Sequence, residues 1–144
     1  MIYFDTAYLA KCYLTDRGFE EVRTLAAQDR VASCELARVE LSAAFHRAYR
    51  EGRMPPAMYR RVRAQFAADE DAGIWVWFPV TSALLQRAAA GFETASRTLF
   101  LRAADAIHLT CAAEHGFREI YSSDRHLLAA APRFGLKPRN VIII

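Results

Sequence analysis

The chain has 144 residues, 53% hydrophobic and 24% charged, enough apolar material for one folded core and too much for a disordered polypeptide. The net charge is only +3, carried by seventeen Arg and two Lys against sixteen acids, so global charge makes no case for a nucleic-acid partner. Apolar runs are short and interrupted, and strand-forming residues begin at Ile2; no membrane span and no signal peptide are expected, and the expectation is a single domain over 1–144 in the cytoplasm.

Strand and helix patterns alternate along the chain. Ile2-Tyr3-Phe4 reads as a strand that runs into Asp5-Thr6-Ala7, and helical periodicity follows over 6–14 and 17–28. Val31-Ala32 is a short strand, with Ser33 as the expected N-cap of a long helix from Cys34 to Arg50. Gly52 and Pro55-Pro56 punctuate before a second long helix, Ala57 to Asp71. Ile74-Trp75-Val76-Trp77-Phe78 is the clearest strand by composition. Thr81 or Ser82 caps a helix to about Ser96, and Leu101 to His115 is another, stopped by Gly116. Glu119 to Ser122 reads as a strand, Asp124 to Ala131 as a short helix and Val141 to Ile144 as a last strand. This alternation predicts a three-layer α/β/α sandwich around a central, mainly parallel sheet of four to five strands.

In such sheets ligands bind outside the carboxyl ends of the strands, where Asp5 and Asp124 both fall. Asp105 starts an apolar helix of about eleven residues that runs roughly 16 Å away. A strand of about five residues at ~3.3 Å each brings the chain back by a similar distance, returning Asp124 to the level of Asp105. The helix after Ser33 starts at the same edge. Val39, Ala43 and Ala44 read as its apolar stripe, with Glu40 on the sheet-facing border; Glu35, in the first turn, is explained by the helix dipole.

Singly, each acid has a structural explanation: Asp5 and Asp124 as N-caps, Asp105 as a first-turn charge. Asp105 strains it, because Ala103, Ala104, Ala106, Ile107 and Leu109 make its surroundings apolar and a buried carboxylate needs a partner. Gathered together, two unit charges at ~4 Å repel by about 4 kcal/mol at an effective dielectric near 20, so either protonation or a cation is required. An all-carboxylate set suits Mg²⁺ or Mn²⁺ and the hydrolysis of phosphodiesters. Cys12, Cys34 and Cys111 read as free thiols. His108, Cys111 and His115 have helical spacing but no second pair to complete a zinc site.

Phe4-Asp5-Thr6-Ala7, Glu40 within Arg38-Val39-Glu40-Leu41, Ala104-Asp105-Ala106-Ile107-His108-Leu109 and Ser122-Ser123-Asp124-Arg125-His126-Leu127 together resemble PIN-domain ribonucleases, and among them the VapC-type toxins of toxin–antitoxin pairs. The resemblance implies a PIN-like fold and a Mg²⁺- or Mn²⁺-dependent endoribonuclease, usually homodimeric and silenced by a small antitoxin protein. Asp5, Glu40, Asp105 and Asp124 would form the acidic metal-site quartet, with Thr6 and Ser122 as hydroxyl neighbours. Ala7 departs from the pattern, standing where many relatives carry a second small hydroxyl residue.

Arg38, Arg47, Arg50, Arg53, Arg60, Arg61 and Arg63 put seven cations on the two central helices. They suit RNA phosphates, an acidic antitoxin segment or plain solvated helix faces. Phe45, Tyr49 and Tyr59 between them favour a helix–helix or dimer contact over base stacking, and Trp75 and Trp77 a core or dimer interface. Asp69, Glu70 and Asp71 read as a solvated acidic helix end, and His126 as a phosphate contact or a surface residue. Two other functions fit parts of the pattern. One is a catalytically inactive module of this fold that binds RNA or a protein, for which four mutually repelling acids have no use. The other is a phosphoaspartate enzyme on Asp5, which lacks a second acid at Ala7 and a well-placed Lys, Lys137 being the only late one.

Overall fold

The computed structural model describes residues 1–143. Five strands, β1 (Ile2–Tyr3), β2 (Val31–Cys34), β3 (Trp75–Phe78), β4 (Glu119–Tyr121) and β5 (Lys137–Arg139), alternate with α1 (Thr6–Lys11), α2 (Phe19–Ala26), α3 (Leu36–Arg50), α4 (Pro56–Asp71), α5 (Ser82–Ala90), α6 (Ala103–Glu114) and α7 (Arg125–Ala130). β1 pairs with β2 and β2 with β3, all parallel, while β4 pairs in parallel with β5. A parallel bridge from Phe4 to Tyr121 joins the two sets. The strand order is therefore 3-2-1-4-5, and its direction of travel reverses between β1 and β4.

Neighbouring side chains on a strand point to opposite faces, and the core divides accordingly. Phe4, Val31 and Tyr121 belong to a cluster with Tyr8, Leu9, Val22, Leu41, Phe45 and Phe66 from α1–α4. Tyr3, Cys34 and Ile120 belong to a second with Leu84, Leu109 and Leu127 from α5–α7. All four residues of β2 are buried, as a central parallel strand with both faces covered must be. This is the three-layer arrangement anticipated from sequence.

Local details differ. Ser33 does not cap α3: it pairs with Trp77, and Glu35 N donates to Phe78 O at 2.8 Å, so the ladder carries β2 two residues further. The buried stripe of α3 is Ala37, Leu41, Phe45 and Ala48, whereas Val39 is 63% exposed; a 3.6-residue period allows either stripe, and packing against the sheet chose. α5 stops at Ala90 rather than near Ser96, with Gly91 as its C-cap packed close against Phe134, 3.1 Å from where a Cβ would stand. The last strand among the described residues is Lys137–Arg139, and 141–143, expected as part of a strand, form none. Val141 and Ile142 instead cover the first core, tied down by Val141 N donating to the Tyr8 hydroxyl at 2.7 Å; Ile144 lies outside the described residues.

The acidic end of α4 is engaged rather than merely solvated: Tyr13 donates to Asp69 at 2.6 Å and Arg38 to Glu70 at 2.6 Å. Tyr49 and Tyr59 stack across α3 and α4 with centroids 4.6 Å apart and Phe45 is fully buried, so these aromatics make a helix–helix contact.

Candidate functional site

The reversal of strand order between β1 and β4 opens a crevice at their carboxyl ends, as parallel sheets do at such a point. Asp5 leaves β1 into it and Asp124 leaves β4. Together with Thr6, Ala7, Glu40, Arg102, Ala104, Asp105, His108 and Leu127 they line one cleft of about 230 Å³. All four acids anticipated from sequence share this cleft; Glu35 does not and sits 4.0 Å from Arg38 on the outside of α3.

Asp5 is 4% exposed. As N-cap of α1 it accepts from Tyr8 N at 3.0 Å through Oδ1, and Ser122 Oγ donates to its Oδ2 at 2.5 Å. Burial pushes its pKa up to about 6, against the lowering effects of Ser122, His108 and the Tyr8 amide. Ser122, itself fully buried, also accepts from Asp124 N at 2.8 Å. One hydroxyl therefore ties the ends of β1 and β4 together. Asp124 caps α7, accepting from His126 N at 2.8 Å; both cap roles coexist with a place in the cleft.

The third acid is satisfied by Arg102. Its Nε donates to Asp105 Oδ2 at 2.9 Å and a terminal nitrogen to Oδ1 at 3.2 Å, while the same side chain also donates to Asp124. Asp105 Oδ2 reaches back to the Arg102 amide at 3.2 Å as well, fixing the first turn of α6. Burial acts to raise the pKa of Asp124, but Arg102 and the α7 amides outweigh it and hold the carboxyl below its usual range. Sequence reading overlooked Arg102. The signal was present: a cation just before a helix N-terminus opposes the dipole and needs a carboxylate to justify it.

Glu40 is held from two sides. Thr6 Oγ1 donates to its Oε1 at 2.7 Å, and His108 Nε2 lies 2.8 Å from the same oxygen. The other ring nitrogen of His108, Nδ1, is 3.0 Å from the Tyr3 hydroxyl, which accepts from Cys34 N at 3.1 Å. With that lone pair taken, the Tyr3 proton is free to point at Nδ1, which leaves the proton of the neutral ring on Nε2, facing Glu40. Burial disfavours the charged ring, yet Glu40, with Asp5 and Cys34, more than compensates and raises the pKa of His108. Burial likewise acts to raise that of Glu40, and His108 with Thr6 brings it below its ordinary value. Both ring nitrogens of His108 thus have partners within the protein; Cys111 and His115 are 3.9 Å apart, and His115 stacks on Phe78.

Among the described residues no group of three or more His, Cys, Asp or Glu is arranged to hold an ion. The donor chemistry nevertheless fits a hard divalent cation: four carboxylates share the cleft, Asp5 carries a burial-raised pKa, and the one cation present, Arg102, neutralises Asp105 and Asp124. Of the seven Arg, six lie on α3 and α4 and Arg53 in the loop between them; Arg38, Arg47 and Arg53 are engaged by carboxylates and Arg63 lies over the Tyr59 ring. None of the seven lines the cleft.

The family model described as PIN domain matches residues 2–132. No curated protein matches the sequence. Among solved structures, Mycobacterium tuberculosis VapC20, a Sarcin-Ricin loop cleaving toxin, superposes with a TM-score of 0.68 at 17% identity, over 90% of this chain and 95% of that one. At that identity the likeness speaks for the fold.

Proposed function

The chain belongs to the PIN-domain family, and from that premise we propose that it is a Mg²⁺- or Mn²⁺-dependent endoribonuclease acting as the toxin of a toxin–antitoxin pair. The observation that carries this reading is the meeting of Asp5, Glu40, Asp105 and Asp124 in one cleft at the strand-order reversal. Those four residues would hold the ion, which when bound supplies charge stabilisation and a water acidic enough to attack a phosphodiester. The rest of the chemistry belongs to the chain. Ser122 fixes Asp5 relative to Asp124, Thr6 and His108 aim Glu40 into the cleft, and Arg102 offsets the charge of Asp105 and Asp124 while no metal does so. The cleft presents no Ser, Cys or Lys, and its one hydroxyl side chain, Thr6, is committed to Glu40, which supports water over a hydroxyl, thiol or amine side chain as the nucleophile.

The motif resemblance to VapC-type toxins supports the toxin role, and with it a small antitoxin partner, a homodimer and a cytoplasmic setting, and the likeness to VapC20 supports the fold on which that role rests. No helix among the described residues is long and apolar enough to cross a membrane. One observation favours the alternative, a PIN-like module that binds RNA or a protein without cutting: Arg102 already neutralises two of the four acids. Incubating a cellular RNA pool with purified protein and Mg²⁺ or Mn²⁺, with EDTA, and with Asp105→Asn separates the two. Discrete fragments that require the metal and vanish in the variant support the nuclease. Equal behaviour of folded, antitoxin-free wild type and variant supports the binding module.

A further inference from the structure

Phe100 is the large aromatic nearest the acids in the sequence that the fold leaves outside. It keeps 54% of its surface open to solvent, whereas Phe4 and Phe45 are fully buried. Its pose is nonetheless defined. The His126 ring lies against it at a centroid distance of 4.2 Å, tilted by 39°, and the Arg102 guanidinium stands 5.8 Å from its centroid. The Arg102 side chain is anchored in the acidic cleft, donating to Asp105 at 2.9 Å, and the backbone of His126 is tied to it where its amide donates to Asp124 at 2.8 Å. The ring therefore lies next to the carboxylates, joined to them through the Arg102 guanidinium and the first turn of α7.

The neighbours of Phe100 narrow what could cover it. Leu99 and Leu101, its neighbours in the chain, are half-buried against the second core, so they do not continue the ring into the broad exposed apolar surface that a protein partner needs. What remains is a ring more than half open to solvent and in contact with an imidazole and a guanidinium, with Arg125 exposed next to His126 in the chain at the start of α7. A single open aromatic ring beside a guanidinium and next to the carboxylates matches an unpaired base lying against the cleft. We propose that Phe100, backed by His126 and Arg102, is a stacking subsite for one unpaired nucleobase of the RNA, adjoining the scissile position. The subsite rests on the ribonuclease reading and adds to it: the substrate is single-stranded at that nucleotide, and its base is selected by stacking rather than by edge recognition.

The test compares wild type, Phe100→Leu and Phe100→Trp in two assays. In the first, binding of fluorescein-labelled oligo(A), oligo(C) and oligo(U) is measured with Ca²⁺ in place of Mg²⁺. In the second, a cleaved oligoribonucleotide is resynthesised with an abasic residue at each position in turn and its cleavage is followed with Mg²⁺ or Mn²⁺. Phe100→Leu is expected to weaken binding and kcat/KM by about tenfold, the order of one base–aromatic stack, and Phe100→Trp to retain both. One abasic position should cost wild type about tenfold and cost Phe100→Leu nothing further. Equal binding and cleavage by wild type and Phe100→Leu, with cleavage present, overturns the subsite and leaves the nuclease standing. If wild type neither cuts nor binds RNA, the nuclease reading falls and the subsite with it. If Phe100→Leu turns a dimer into a monomer in sedimentation while RNA binding persists, the ring is a subunit contact and the subsite is overturned.

Discussion

His108 Nε2 lies 2.8 Å from Glu40 Oε1, a contact between α6 and α3 across 68 positions of sequence. It is the inner end of a buried chain that runs from Cys34 N through the Tyr3 hydroxyl to the ring, and it makes the orientation of Glu40 a property of the core.

Replacing His108 by Leu should therefore do two things at once. Stability should fall by about 1–3 kcal/mol, because Tyr3 and Glu40 each lose a partner, and cleavage should fall at least tenfold. His108→Gln, which keeps a donor near Nε2, should recover part of both. The raised pKa gives a pH signature: the ring's contribution to stability is fully present below the ordinary imidazole value of 6.5 and is lost as pH rises through the higher folded value. Urea titrations of the wild type and Leu variant across that window, together with RNA cleavage, check this; a Leu variant equal to wild type in both would remove the relay.

Asp5 gives the opposite lesson in electrostatics. Its pKa rises from 3.8 to about 6 on folding, so between those values the folded protein holds a proton that the unfolded chain has released. Stability contributed by this group is present below pH 3.8, falls as pH rises through 6, and above that the charge costs up to about 3 kcal/mol. In EDTA at pH 7.5, Asp5→Asn should thus melt higher than wild type. Adding Mn²⁺ should raise the wild-type melting temperature and leave the variant unmoved. A wild type more stable than Asp5→Asn in EDTA contradicts the assignment.

Arg102 sits where a cation is wanted, bridging Asp105 and Asp124. Arg102→Ala should lower stability by about 1–2 kcal/mol, given the half-exposed guanidinium, while Mn²⁺ binding measured by calorimetry tightens several-fold because a competing charge is gone. Weaker Mn²⁺ binding by the folded variant would mean that Arg102 shapes the site for the metal instead of competing with it.

Gly18 tests the reading of the C-terminal tail. Its φ is +85°, and a Cβ there would meet Ile142 Cγ1 at 2.5 Å. Gly18→Ala should cost about 1–3 kcal/mol from backbone strain and displacement of Ile142. Deleting 141–144 in the Ala variant should then cost less than the same deletion in wild type, since the tail is already dislodged. Equal costs in a thermal-melt cycle would separate the tail from α2.

Sequence alone determined the order of elements, because hydrophobic period and turn residues are local properties: the alternation from Ile2 to Tyr121 and the positions of Asp5, Asp105 and Asp124 at element ends were legible there. Glu40 was legible as a preference over Glu35, although of the apolar stripe chosen to support it Val39 and Ala43 proved to face outward and only Ala44 is half-buried. What only the tertiary structure decided is every relation that depends on which strand lies beside which. The 3-2-1-4-5 order puts Ser122 against Asp5, and packing of α6 under β1 brings His108 to Tyr3 and Glu40. Arg102 could face Asp124 only once β4 had returned beside β1. The apolar tail misled for the same reason. Val141 and Ile142 have the composition of a strand, but strand identity is conferred by an available backbone partner, and β4 had already spent its free edge on Lys137–Arg139.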